Sequence, residues 1–480
     1  MNQRIIISNL IWRFLERSGA QVVTFAITII LARMLDPSVY GTIALITVII
    51  SILQVFVDGG MGNALIQKKN ADDLDFSSVF FFNLFMCLLL YVLIFIAAPS
   101  IACFYDIPEL TNITRVLGLV VVVSGVKSIQ QSYVSRNFLF KKFFYSTLGG
   151  TIGAAIAGIW MAYRGHGIWA LVVQYLLNNI IDTIVLWNVV KWRPKKIFSF
   201  SRLKALFQYG WKLLASTLMD TVYENLRQLV IGKVYSSGDL AFFNKGRSFP
   251  EIIVANINTS INSVLFSSLS NIQDDRKQIK SSVRRAMKTS IYFIAPLMVG
   301  LAICAKSIVK LILTEKWIGC VFYLRVFCFV FAFYPIHILN LNAIKAMGRS
   351  DIFLKLEIIK KIIDFIVLIF TVRRGVKAIA FGMIFTSILS QIINSWPNRK
   401  LFGYSYWEQI KDILPSLILA SAMGGIVYLF TLLELSDIGV LLLQIILGIL
   451  IYWLGSIIFR LEPYQYAMDM VKSSLSVWKL

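Results

Sequence analysis

Charged residues are scarce in this 480-residue chain: Asp, Glu, Lys and Arg make up 15% of it, against about 25% in soluble globular proteins. A large soluble protein is therefore excluded. Histidine is scarcer still, with 2 in the whole chain, which excludes a histidine-rich metal centre. The 5 cysteines, Cys87, Cys103, Cys304, Cys320 and Cys328, lie in or beside apolar runs, with neither metal-ligand spacing nor a disulfide framework. No phosphate-binding glycine loop, zinc signature or nucleophile elbow occurs. Connections between apolar runs are short, and none reaches the roughly 50 residues of a folded extramembrane domain. Any chemistry is expected within the apolar part of the chain, with no catalytic residue, metal or cofactor assigned. The basic, apolar N-terminal stretch lacks a small-residue cleavage pattern, so the first helix is expected to stay.

Apolar sequence is what the chain has in abundance. It is 58% hydrophobic, with mean hydropathy +0.74. A helix needs roughly 20 apolar residues to cross a bilayer. About fourteen segments reach that length, at 11–34, 40–63, 76–98, 113–134, 143–163, 168–190, 207–233, 240–270, 283–309, 321–347, 352–372, 376–396, 410–433 and 438–459. The expected fold is an all-α polytopic membrane protein.

The net charge of +22 does not indicate nucleic-acid binding. Lys and Arg collect on the cytoplasmic side of membrane proteins, where anionic headgroups attract them. Every second connection is basic: Lys68 and Lys69; Arg136, Lys141 and Lys142; the stretch 191–204; and the run from Arg276 to Lys288. The alternate connections 105–109 and 434–437 contain neither Lys nor Arg, with Arg373, Arg374 and Lys377 an exception on that side. This alternation predicts that both termini are cytoplasmic.

The chain also repeats itself. The turn at 33–41 corresponds in position and character to that at 233–241. Arg164-Gly165-His166-Gly167-Ile168-Trp169-Ala170 corresponds to Arg374-Gly375-Val376-Lys377-Ala378-Ile379-Ala380. The expected organisation is a six-helix lobe at 1–190, a basic cytoplasmic linker at 191–205, a second six-helix lobe at 206–398, and two extra helices with a tail at 399–480. Repeats of even helix number keep one orientation, and transporters built so place substrate between halves that alternate access by rocking.

Two expected spans carry groups a membrane rejects. In 207–233, Lys212, Ser216, Asp220, Glu224 and Arg227 step by four, four, four and three, which places them on one helical face. Each central charge costs about 2.5–3.5 kcal/mol on insertion scales, so Asp220, Glu224 and Arg227 approach about 8–10 kcal/mol if unpaired. The span 240–270 carries Asn244, Lys245, Arg247, Glu251, Asn256, Asn258, Thr259, Asn262 and Ser263. A wet cavity would relieve the cost; so would mutual pairing of Asp220 or Glu224 with Arg227.

Further polar groups have two readings each. Arg13, Glu16 and Arg17 share a face of the first helix. The two Arg side chains suit a phosphate, and equally suit snorkelling to headgroups. Asp58, the only carboxylate of its span, stands beside Gly59, Gly60 and Gly62, which permit close packing or a bend. It is an ion site or the partner of an Arg in the first helix. His337 is more simply a hydrogen-bonded structural histidine than a proton relay. Glu357–Lys361 and Lys360–Asp364 are spaced to neutralise each other. Lys127, Gln130, Gln131 and Arg136 close the fourth span, with Arg136 at the cytoplasmic rim.

The residues then suggest a family. Asn9-Leu10-Ile11-Trp12-Arg13-Phe14-Leu15-Glu16-Arg17, the stretch Leu31 to Gly41, and Phe56-Val57-Asp58-Gly59-Gly60 through Lys69 resemble the bacterial oligosaccharide flippases. These form the polysaccharide-transporter branch of the multidrug/oligosaccharidyl-lipid/polysaccharide superfamily. Gly210-Trp211-Lys212, Leu313-Thr314-Glu315-Lys316-Trp317 and Gly348-Arg349-Ser350-Asp351 fit the same pattern; Phe266-Ser267, where Phe-Pro is usual, departs from it. The resemblance implies two lobes around a cationic cavity in the bacterial inner membrane. It also implies that an undecaprenyl-diphosphate-linked oligosaccharide moves from the cytoplasmic to the outer leaflet. Arg13, Arg17, Arg227, Lys245 and Arg247 are the expected substrate-binding residues. Glu16, Asp58, Asp220 and Glu224 would couple an ion or hold the Arg side chains. Membrane lipids and other polysaccharide-assembly proteins are the expected further partners, and nucleic acid is not. A multidrug or cation antiporter of the same superfamily and a membrane polysaccharide polymerase are the rival readings. The first prefers an acidic cavity, and the second a sizeable outer loop.

Overall fold

The computed structural model describes residues 3–58, 60–272, 275–432, 436–466 and 468–469. The side chains at 3–11, 13–18, 209, 258–264, 266–268 and 270–271 also lie outside this set. Regular structure among the described residues is entirely helical. The chain divides into two compact units, Met1–Ala241 and Phe242–Leu480.

The first unit contains α1 (Gln3–Met34), α2 (Pro37–Asp58), α3 (Met61–Gln67), α4 (Asp73–Tyr105), α5 (Leu110–Arg136), α6 (Lys141–Tyr163), α7 (Ile168–Val189) and α8 (Phe200–Val234). The second begins five residues inside α9 (Ser237–Asn271). It continues through α10 (Arg276–Ile303), α11 (Ala305–Ile312), α12 (Cys320–Ala332), α13 (Tyr334–Ala346), α14 (Ser350–Val372), α15 (Val376–Phe402), α16 (Tyr406–Leu429) and α17 (Asp437–Ile458). The paired turns of the repeat fall between helices: residues 35–36 and 235–236 separate α1 from α2 and α8 from α9, and 164–167 and 373–375 separate α6 from α7 and α14 from α15.

Ten helical segments among the described residues are long and apolar enough to cross a membrane. The other expected spans are also helices, α1, α8, α9 and α14, of 32, 35, 35 and 23 residues. In α8 and α14 the charges interrupt every long apolar window, and α1 and α9 include side chains outside the described set.

Three expected spans are broken. The span 321–347 divides at Phe333, because Pro335 has no N–H to donate and its ring opposes the carbonyl one turn earlier. The span 283–309 divides at Cys304, between α10 and α11. The span 40–63 divides after Asp58, and Gly60 restarts the helix with φ 65°. Glycine, with no Cβ, enters the left-handed region at no steric cost. A Cβ on Gly60 would also lie 2.2 Å from the carbonyl oxygen of Gly210, so α3 and α8 meet backbone to backbone. Gly60→Ala therefore combines strain with a clash against main chain. It should cost more than about 2 kcal/mol, seen as a lowered thermal midpoint of the detergent-solubilised protein. An unchanged midpoint would contradict this packing.

The basic linker is docked. Ser199 caps α8, which starts at Phe200 instead of the expected 206–207. Lys195 pairs with Asp73 at 2.6 Å and Lys68 with the fully buried Asp75 at 2.6 Å. The backbone N–H groups of Lys195 and Ser199 donate to Ser77 and Ser78 at 3.0 and 2.9 Å. The Lys195 ammonium and the Trp192 indole N–H, the latter at 3.1 Å, both donate to the Asp73 carboxyl. Beneath them, Met61, Leu65, Phe76, Phe80, Ile129, Leu186, Trp192, Leu203 and Leu206 form one apolar cluster. The linker thus joins α4 and α8 into one packed edge.

Candidate functional site: polar residues within the helices

In the first unit, α8 packs on α2, α3 and α4, burying Leu206 and Ile231. Its sequence-predicted polar face stays open: Lys212, Ser216, Asp220 and Glu224 are exposed, and Arg227 is half-buried. Among the described residues Glu224 has no ion-pair partner, so the simple Glu224–Arg227 bridge is not formed.

In the second unit, Lys245 lies with Nζ 5.2 Å from the ring centre of Trp317, which is fully buried. Next to it, a Cβ on Gly246 would stand 2.7 Å from the backbone nitrogen of Leu324, so only glycine lets α9 lie this close to α12. Phe243 makes edge contacts with Tyr323 and Phe327 at 5.8 and 5.2 Å. Lys245 is thereby held against an aromatic wall, where a cation gains from the ring face. Arg247 donates to Glu251, one turn on, at 3.1 Å. The backbone of Arg13, Glu16 and Arg17 lies in α1, but their side chains fall outside the described residues.

Asp58 stands at the C-terminal end of α2, where the helix breaks. It lines a cavity of about 250 Å³ with Asn63, Asn83, Ser128, Gln131 and Ser132. Asn83, which is 2% exposed, donates to Ser128 at 2.7 Å, and Ser132 donates to the carbonyl of Ser128 at 3.2 Å. Arg136 fixes the neighbouring wall: its guanidinium donates to the carbonyls of Leu65, Ile66, Lys68 and Lys69, satisfying the end of α3. Lys127 pairs with Asp182 at 2.9 Å. Sequence reasoning named Asp58 and Gln131 but not Asn63, Asn83, Ser128 or Ser132. The signal available was the spacing 128, 131, 132 and 135, one polar face of α5.

Two other expectations have outcomes here. His337 lies within hydrogen-bonding distance of Ser387 and Asn394, at 3.4 and 3.3 Å, in keeping with the structural reading. Lys360 pairs with Glu357 at 2.6 Å, three residues back, where pairing with Asp364 was expected.

These features define a multi-pass helical membrane protein with polar and charged groups set among its helices. The family described as polysaccharide biosynthesis protein matches residues 30–322, and the chain belongs to it, the oligosaccharide-flippase and polysaccharide-transporter group that the sequence resembles. The chain is 23% identical to the succinoglycan biosynthesis transport protein ExoT of Rhizobium meliloti (strain 1021), over 66% of this chain and 64% of that protein. The match thus spans a little under two thirds of that relative. It is 24% identical to the lipopolysaccharide biosynthesis protein WzxC of Escherichia coli (strain K12), over 82% of each. Its fold is that of the lipid II flippase MurJ in an inward closed conformation (TM-score 0.76, 20% identity, 94% of this chain and 99% of that one). An inward-facing multidrug resistance MATE family transporter of the MOP superfamily is also similar (TM-score 0.63, 13% identity, 79% and 94%).

Proposed function

We propose that this protein flips an undecaprenyl-diphosphate-linked oligosaccharide from the cytoplasmic to the outer leaflet of the bacterial inner membrane, for cell-surface polysaccharide assembly. The observation that carries this reading is the open polar face of α8, with a half-buried Arg227, in a chain of the polysaccharide biosynthesis family. A diphosphate cannot enter hydrocarbon unaided, whereas its lipid tail can stay there. A translocator therefore has to supply a wet, cationic path beside the bilayer. Arg13, Arg17, Arg227, Lys245 and Arg247 are the proposed cations, with Glu16, Asp220 and Glu224 as their partners or as ion-coupling groups. Access alternates through rocking of lobes at 1–190 and 206–398, joined by the linker at 191–205 and followed by the extra helices of 399–480. Both termini face the cytoplasm. Membrane lipids and other polysaccharide-assembly proteins are its partners.

The similarity to a multidrug transporter supports a second reading, a cation antiporter. The two differ in the sign of the ligand. Purified protein in nanodiscs should bind undecaprenyl diphosphate and leave ethidium unbound. Binding of ethidium alone would reverse the assignment.

A further inference from the structure

The cavity at the break between α2 and α3 contains polar groups that the protein itself does not use. Asp58, Asn63 and Gln131 line it, and none of the three makes a hydrogen bond or ion pair with another described residue. Lys127, the nearby cation, is committed to Asp182 at 2.9 Å. Asp58 and Asn63 are exposed and Gln131 is half-buried, so the cavity is open and its polar groups are free to meet a ligand that enters it. Its walls restrict which.

A phosphate is disfavoured, because Asp58 would repel it and no neighbouring side chain of the lining is cationic. A bare cation fits poorly as well. It would use Asp58 and the amide oxygens of Asn63 and Gln131 but leave their NH₂ donors unused, and a cavity of about 250 Å³ holds roughly eight water volumes, far more than one ion. A group that both donates and accepts at several points fits better. Asp58 accepts two or more hydrogen bonds, Asn63 and Gln131 each donate and accept, and Ser128 and Ser132 add hydroxyls. Adjacent hydroxyls on a single pyranose ring have that character, and one such ring suits the volume. The walls are held in advance, Ser128 by Asn83 at 2.7 Å and the end of α3 by Arg136.

We infer that the Asp58–Asn63–Gln131 cavity is a sugar subsite, which recognises the hydroxyls of a sugar ring in the glycan of the lipid-linked substrate. The inference rests on the flippase reading and adds to it a place where the sugar, as distinct from the diphosphate, is read. It assigns Asp58 to neither the ion site nor the Arg partnership expected from sequence.

The test uses the full-length protein in nanodiscs and four lipids: undecaprenyl diphosphate, and the same lipid bearing one glucose, one galactose or one N-acetylglucosamine. Wild type should bind at least one sugar-bearing lipid about tenfold or more tighter than the bare lipid, as a hydrogen bond to a charged group permits. Asp58→Asn, nearly isosteric, and Gln131→Ala should each bring that preference close to parity. Arg227→Ala should instead weaken all four lipids together. A wild type without sugar preference, or a preference kept in both cavity variants, would overturn the subsite and leave the flippase reading standing. So would a sodium-dependent affinity that Asp58→Asn abolishes while sugar preference persists, since that marks a cation site. Failure of wild type to bind any of the four would remove both.

Discussion

Replacing Arg227 with alanine is expected to abolish transport, and replacing it with lysine to leave a weakened activity. Arginine offers a rigid, bidentate fork to phosphate oxygens, and lysine a single point charge. Arg227 is half-buried on α8 while Lys212, Ser216, Asp220 and Glu224 along the same face are exposed. A loss in the alanine variant has a rival cause, an uncompensated carboxylate on α8. The triple change Asp220→Asn, Glu224→Gln and Arg227→Gln separates the two, because it removes both carboxylates of the face together with the guanidinium and keeps hydrogen-bonding groups. If Arg227 grips substrate, the triple variant should reach wild-type abundance and still fail to restore surface polysaccharide in a flippase-deficient strain. Recovery of polysaccharide would assign Arg227 a structural role. Full activity of a well-expressed Arg227→Ala protein would move the assignment to Arg13 and Arg17.

The helices were legible wherever one physical signal dominated. Hydropathy located the long segments, because a span needs only length and apolarity. The polar face of α8 was legible from steps of three and four. Breaks were harder. Pro335 announces one, yet it sits in a run so apolar, from Val321 to Leu341, that hydropathy reads straight across it. Gly60 was read as packing or bending, and both occur, but the left-handed residue answers to Gly210 on a distant helix. The linker looked like a tether because it is basic; its acceptors, Asp72, Asp73 and Asp75, belong to the start of α4. The cavity at Asp58 was least legible. Spacing along one helix reveals a face, whereas the cavity needs faces of α2, α3, α4 and α5 brought together, and no local pattern records that.

The same distance in sequence hides a buried ionic contact of the second unit, and from it comes the largest expected stability loss. Asp412 on α16 is 8% exposed. It accepts from Arg284 of α10 through Nε and Nη2, at 2.8 and 2.6 Å, and from the Tyr404 hydroxyl at 2.8 Å. Lys288 lies 3.4 Å away and is itself paired with Glu462 at 2.5 Å. Around them, Tyr404, Met287, Ile291 and Ile413 belong to one apolar cluster, so α10 and α16 are joined by packing and by charge. Asp412→Ala removes the acceptor shared by three donors and strands the fully buried Tyr404 hydroxyl. Breaking a buried pair in this way costs about 3–5 kcal/mol. Arg284 is half exposed and can turn to water, which places the expected loss near the lower limit, about 3 kcal/mol. Asp412→Asn keeps an acceptor for Tyr404 and should cost about 1–2 kcal/mol. In SDS-induced unfolding from mixed micelles, the midpoints should therefore fall in the order wild type, Asn, Ala. Tyr404→Phe added to Asp412→Ala should cost less than it does in wild type, because the stranded hydroxyl is already without its acceptor. Equal costs in the two backgrounds would mean that Tyr404 and Asp412 do not act together and that Arg284 and Lys288 alone tie Asp412 to α10.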